Sequence, residues 1–312
     1  PDRREGGVTL AGDRGPVFSQ SYYALYLHWQ IKDTGGPPRH GTGREPGNNA
    51  PYTTYSSASP LVDLLEPSHY DVALTEHEKR IVRLWIDSGA TYPGTYAAYG
   101  SGQVGGCWRV NEPIREMADD WPSTAPAVEA VERRCAACHP NEQMPQHVTA
   151  VTGINPWGDM LSWTRPLTRY SRHRLYNLSR PEKSLLLMAP LARQAGGYAE
   201  GKPVTELPDP QPVVEDFSRP PKPIVHPVVF TEAEDPDYQK ILAHVRRART
   251  KLDEIKRFDM PGFRPNEHYV REMKRYGVLP GNVGVDAPLD VYALDRAYWR
   301  TFWHRAVTRE QP

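Results

Sequence analysis

The chain has 312 residues in which 38 Lys plus Arg balance 38 Asp plus Glu, so no net field draws it to nucleic acid or anionic lipid. That length allows two domains or one elaborated domain with a real core, while the longest apolar stretch, Ser184 to Ala192, is far too short to cross a bilayer. The 32 Pro are about twice the usual share of about 5%, which predicts ordered coil between helices and few long strands.

Residues 1–58 are rich in Gly, Pro and polar residues, with Ser19 to Trp29 reading as a short amphipathic helix. Gly35 to Tyr52 reads as loop, blocked by Pro37, Pro38, Pro46 and Pro51. Leu61 to Leu65 predicts a helical turn. Thr75-x-x-Glu78 is a capping box, and the helix that it opens runs to about Ser88, with Ile81, Leu84 and Trp85 on one face, before Gly89 stops it. Gly94 to Gly106 is a Gly- and Tyr-rich connector. Ala127 to Arg134 is helical in pattern, and Pro181 to Leu191 predicts another short helix. A Pro-rich excursion from Gly196 to Pro227 precedes Asp237 to Lys256, an amphipathic helix in which Tyr238, Ile241, Leu242, Val245, Leu252 and Ile255 recur at three and four. Asn266 to Arg275 and Ala287 to His304 close the series. No segment alternates with period two over any length, so the class is mainly α, with long Pro/Gly-rich coil.

The strongest chemical statement is one pentapeptide, Cys135-Ala136-Ala137-Cys138-His139. Two thiols at this spacing can each add to a vinyl group of a porphyrin, and the following His then stands under the iron as its proximal ligand. The competing readings are a thioredoxin-like redox pair and half of a zinc site. A thioredoxin-like pair should follow a strand and open a helix, whereas a helical stretch leads into this motif. A zinc site needs two further donors, and Cys107 is the only remaining thiol. Cys107 itself reads as a buried apolar thiol. Haem c implies a periplasmic or otherwise extracytoplasmic location. The chain opens at Pro1 without Met or an apolar signal segment, so the expectation is a removed export signal or a longer polypeptide.

Two stretches share an order of features. One runs Ser59-Pro60-Leu61, Leu64-Leu65, His69 and Leu74-Thr75-Glu76, then a helix with Ile81 and Trp85. The other runs Ser184-Leu185-Leu186-Leu187, Pro190-Leu191, His226 and Phe230-Thr231-Glu232, then a helix with Ile241 and Val245. Repetition of a supersecondary unit suggests two related modules. Residues 1–100 then form a cytochrome c-like helical module lacking its own haem motif, 101–124 a linker, and 125–312 a haem c-binding domain. In each module the His stands in a loop ahead of a helix, where a small cytochrome supplies its second axial ligand. His226 is the first candidate for the distal position of the Cys135 haem, and Met260, in Asp259-Met260-Pro261-Gly262, is the runner-up. Met144 and His147 lie so near the motif that little chain is left to loop over a porphyrin. His69 is the matching candidate for a second haem, whose attachment thiols would lie outside these residues. His28, His40, His77, His173, His244, His268 and His304 read as surface or core polar residues.

Four phrases carry a resemblance: Ser179-Arg180-Pro181-Glu182-Lys183-Ser184-Leu185, Ala189-Pro190-Leu191-Ala192 with Gly196-Gly197, Asp235-Pro236-Asp237-Tyr238-Gln239-Lys240-Ile241-Leu242, and Lys256 through Pro265. They resemble the hydrazine-synthase-alpha-type family, multihaem c-type proteins of planctomycetes and their relatives. Trp85-Ile86-Asp87-Ser88-Gly89-Ala90 with Tyr92-Pro93-Gly94-Thr95-Tyr96 is similar to the family's preceding module, and the likeness covers most of residues 5–300. The resemblance implies a haem motif upstream of Glu5-Gly6-Gly7-Val8. The hydrazine-forming enzyme has a Tyr four residues after the motif His, where this chain has Gln143, so hydrazine synthesis is not carried over. Two functions stay open: a module relaying single electrons to a redox partner or a neighbouring haem within a larger assembly, and a haem oxidoreductase with an open iron site acting on small nitrogen species. Structural interaction within a larger assembly is a third, weaker reading.

Overall fold

The structure is a computed structural model that describes residues 10–16, 19–27, 30–32, 50–90, 92, 94, 95, 97, 121–136, 138, 175–201 and 226–302. Among these residues the architecture is mainly helical. Extended pairing among the described residues takes the form of isolated bridges, among them Arg14 with Ser19, Leu191 with Phe230 and Ala192 with Ala199. The chain divides into two compact units, Pro1–Tyr92 with Glu112–Leu252 and Pro93–Asn111 with Asp253–Pro312. No helix of the described residues is long and apolar enough to cross a membrane.

In the first unit, α1 (Gln20–Leu27) is followed by a 3-10 turn at Tyr55–Ser57, α2 (Pro60–Asp63) and α3 (Glu76–Asp87). The expected capping box opens α3: the Thr75 hydroxyl accepts from the Glu78 N–H, and the Glu78 carboxylate accepts from the Thr75 N–H at 2.8 Å. The inward side of α3 is made by Ile86, 1% exposed, and by Lys79, whose ammonium donates to Glu66 at 2.6 Å. Ile81 and Leu84 share the opposite side and are 52% and 56% exposed, whereas Trp85, expected on the same face, is half-buried with its ring edge-on to Tyr22 at 6.2 Å, so only part of the apolar stripe legible in the sequence points outward.

The unit continues with α4 (Thr124–Cys135), a 3-10 turn at Pro181–Lys183, α5 (Leu185–Met188) and α6 (Pro236–Ile255), which passes into the second unit at Asp253. The single helix expected from Pro181 to Leu191 is two short pieces, because Ser184 between them is extended (ψ 135) and spends its hydroxyl on the Asn177 N–H at 3.0 Å. Tyr238, Ile241, Leu242, Val245 and Leu252 of α6 are all buried, as their spacing predicts. Helices α4 and α6 run antiparallel. Ser123, just before α4, reaches His244 in the middle of α6 at 3.4 Å, while Arg133 and Arg134 at the other end of α4 reach Asp237 and Asp235 at the start of α6.

The repeated order of features has a structural counterpart. In each stretch a 3-10 turn leads to a buried Ser, and a four-residue helix starts directly after it. The Ser59 hydroxyl accepts from the Lys32 N–H at 2.9 Å, as Ser184 does from Asn177. Each hydroxyl therefore ties an earlier segment to the short helix, satisfying a backbone donor that burial would otherwise strand.

The second unit contains α7 (Glu267–Arg275) and α8 (Val291–Thr301), close to the expected bounds. Asn266 and Asp290 cap them, each side chain accepting from the backbone N–H three residues on. Tyr269, Val270, Met273, Leu279 and Val291 form the core. Within it the Tyr269 hydroxyl donates to Asp295 at 2.7 Å; burial, then that bond, push its pKa well above the ordinary tyrosine value.

Candidate functional site

Cys135 is the last residue of α4, and the Cys138 N–H donates to the Cys135 carbonyl at 3.1 Å, continuing the coil by one turn. Residues three apart on a helical turn are neighbours on one face, so the chain's local geometry presents both thiols to the same side. Both are free thiols and both are half-buried. Burial, reinforced by the neighbouring Cys138, pushes the Cys135 thiol up to about 12, against the opposing pull of Arg134. Redox-active thiol pairs sit at helix N-termini with lowered pKa values; a thiolate at a helix C-terminus faces the negative end of the dipole instead. The placement therefore argues against a dithiol redox centre. Among the described residues no group of three or more His, Cys, Asp or Glu could share a metal ion. His139, Gln143, Met144, His147 and Cys107 lie outside the described residues.

The Cys-bearing end of α4 is clamped by groups that the sequence reading passed over. Arg133 makes two bonds to Asp237, at 2.6 and 3.0 Å, and Arg134 reaches Asp237 at 2.8 Å and Asp235 at 2.7 Å. Hydrogen bonds from Arg133, then Arg134 and Lys240, hold the Asp237 carboxyl well below the usual carboxylate range. The Arg134 guanidinium also lies 5.6 Å from the Phe230 ring centre. The signal was present as a basic pair before Cys135 and an acidic pair around Pro236. What it lacked was any indication that residues about a hundred positions apart would meet. The same Asp235 carboxylate accepts from the Asp237 N–H at 2.8 Å and caps α6. Pro236, with its preset φ and missing N–H, suits the first helical position.

His226 lies on the segment that leads to Phe230. Ala192 N–H donates to the Phe230 carbonyl at 2.8 Å, Phe230 N–H to the Pro190 carbonyl at 3.0 Å, and Glu200 N–H to the His226 carbonyl at 3.1 Å. The Gly196-Gly197 turn makes this possible. Gly196 takes φ 89, and a Cβ on Gly197 would stand 2.0 Å from the Leu191 carbonyl oxygen. The ring Nδ1 of His226 is 2.7 Å from the Pro227 carbonyl oxygen. Only a protonated Nδ1 can bond to a carbonyl, so in the neutral ring Nε2 carries the lone pair. Burial lowers the His226 pKa and favours that neutral form. His69 repeats the pattern: it is half-buried, and its Nδ1 lies 3.2 Å from the Leu64 carbonyl oxygen, with Tyr70 edge-on at 5.0 Å.

Met260 belongs to the second unit and is half-buried in the turn after α6, where its N–H donates to the Arg257 carbonyl at 2.9 Å. That unit also carries a groove of about 530 Å³, lined by Tyr269, Glu272, Tyr276, Tyr298 and Trp299 among others. Of the remaining imidazoles, His244 is a core residue, wholly buried between Trp121 and Tyr176, and His268 is on the surface. Comparison with family models, with curated proteins and with solved structures finds no match.

Proposed function

We propose that the chain is a c-type cytochrome module, with one haem attached through Cys135 and Cys138, His139 as the proximal iron ligand and His226 as the distal one. The observation that carries this reading is the pentapeptide itself, set at the end of a clamped helix with both thiols free. Thioether formation adds each S–H across a vinyl C=C, the sulfur to one carbon and the hydrogen to the other. It needs two reduced cysteines on one side of the chain and no oxidant. Bound haem would supply a one-electron Fe(III)/Fe(II) couple. The protein's own contribution is positional: the Arg–Asp clamp fixes the end of α4, and the Pro190–Ala192 and Glu200 backbone bonds fix the His226 segment. An Nδ1–H bonded to a backbone carbonyl orients a ligating imidazole and raises its basicity, which favours His226 over Met260 for the distal role.

The same reading makes residues 1–100 a second cytochrome c-like module. His69 would serve a further haem, with thiols supplied from outside this sequence. A chain of this kind relays single electrons to a neighbouring haem or a redox partner in an extracytoplasmic compartment. His226→Ala tests the ligand assignment: the iron should pass from low spin to high spin in the optical spectrum, because a vacant axial site weakens the ligand field. An unchanged low-spin spectrum would transfer the role to Met260. A wild-type protein already high-spin would favour the haem oxidoreductase with an open iron site.

A further inference from the structure

Arg134, next to Cys135 at the end of α4, divides its planar fork between two acceptors. Its Nε donates to Asp237 at 2.8 Å and its Nη2 to Asp235 Oδ2 at 2.7 Å. The same guanidinium lies 5.6 Å from the centre of the Phe230 ring. Phe230 and Asp235 bound the link between the His226 segment and α6. Phe230 is wholly buried and fixed by its backbone bonds to Pro190 and Ala192, while Asp235 Oδ1 caps α6. Arg133 differs: both of its bonds go to Asp237, and its side chain is 52% exposed against 34% for Arg134. Arg133 thus ties α4 to α6, whereas Arg134 also ties α4 to the segment that carries His226.

We infer that Arg134 is a positioning residue for the distal ligand, holding the His226 segment against the thiol-bearing end of α4. This rests on the haem reading above and adds what keeps His226 in place. A ligand supplied by the chain itself competes with outside ligands through its effective concentration, which falls when its segment is free to move away. Attachment follows from the Cys135–His139 spacing, so it should survive the loss of Arg134 while distal ligation weakens.

The experiment is a cyanide titration of the whole ferric holoprotein, read from the Soret band. Cyanide must displace the distal ligand, so its apparent affinity reports how often that ligand is off. Arg134→Met keeps an apolar stem and removes charge and fork. It should still carry the mass of one haem and bind cyanide at least about tenfold more tightly, about 1.4 kcal/mol lost from distal ligation. Arg133→Met should leave the affinity where it is, although it breaks two bonds to the same Asp237. In a His226→Ala background the site is already open, and adding Arg134→Met should change nothing further. An unchanged affinity in Arg134→Met would overturn the inference. So would an equal gain in Arg133→Met, which means general loosening of α4, or a gain that persists without His226, which means an action not routed through it. If Arg134→Met does not fold, Asp235→Asn decides. Asn keeps the oxygen that caps α6 and loses the carboxylate that Arg134 holds, so cyanide should again bind more tightly, and an unchanged affinity would count against the inference. A wild-type chain without haem, or a His226→Ala chain that binds cyanide no better than wild type, removes the haem or ligand reading and the inference with it. A failure confined to the Arg134 and Asp235 variants overturns the inference and leaves that reading standing.

Discussion

At the level of single residues, two groups carry the proposed chemistry and one decides the framework around it. Cys135 and Cys138 were legible as a candidate site at once, because their spacing carries its own chemical meaning. The tautomer of His226 was not, because it depends on the Pro227 carbonyl at 2.7 Å. Burial lowers the folded-state pKa of His226 below its ordinary 6.5. As pH falls, the unfolded chain takes up the proton first. The stability linked to neutral His226 is thus fully present above the unfolded value and is lost as pH drops toward the folded one. Denaturation midpoints of the haem-free chain should fall below about pH 6.5, and His226→Asn should flatten that slope. An identical slope in the variant would separate His226 from the effect. Gly197 makes the sharper framework prediction. Gly197→Ala drives a Cβ to 2.0 Å from the Leu191 carbonyl oxygen, whereas Gly12→Ala meets nothing within 4 Å. The first should lower the thermal midpoint by many degrees and the second should leave it in place.

Among the elements, the buried serines give the repeat its most direct test. Ser59 and Ser184 are 3% and 0% exposed, and each accepts a backbone N–H from an earlier segment. Ser59→Ala and Ser184→Ala should each cost about 1–3 kcal/mol in chemical denaturation, the penalty of a buried unsatisfied donor. A cost at only one site would break the parallel between the two stretches. The helices themselves were read well from sequence where caps and periodicity agree, as for α3 with its Thr75–Glu78 box and α6 with its buried Tyr238-to-Leu252 stripe. Periodicity reports that a helix has an apolar side, not what covers it, which is why Ile81 and Leu84 could be placed on one face but not assigned to core or surface. The Pro181 to Leu191 segment failed for a different reason: a Ser capable of capping a helix start also interrupts one. The clamp of Arg133 and Arg134 on Asp235 and Asp237 was beyond local reading altogether, since it joins residues about a hundred positions apart.

For the molecule as a whole, the first compact unit holds both repeated stretches and the Cys-bearing helix, and the segments are laced together by backbone bonds such as Leu178 N–H to Arg14 carbonyl at 2.7 Å. Mainly helical architecture with Pro-rich coil was foreseeable from composition and the absence of period-two alternation. That both stretches fall within one unit was not, because the bonds lacing the unit join distant segments, as where Asp13 binds Arg180 at 2.7 Å. The central claim is that this framework carries covalent haem at Cys135 and Cys138. The most direct measurement is the mass of the intact chain, produced where haem-attachment machinery is present and denatured before analysis. The account predicts the mass of one haem retained on the wild-type chain, bound through a single thioether in Cys135→Ser or Cys138→Ser, and absent from the double variant. A wild-type chain with no added mass and two alkylatable thiols would contradict it.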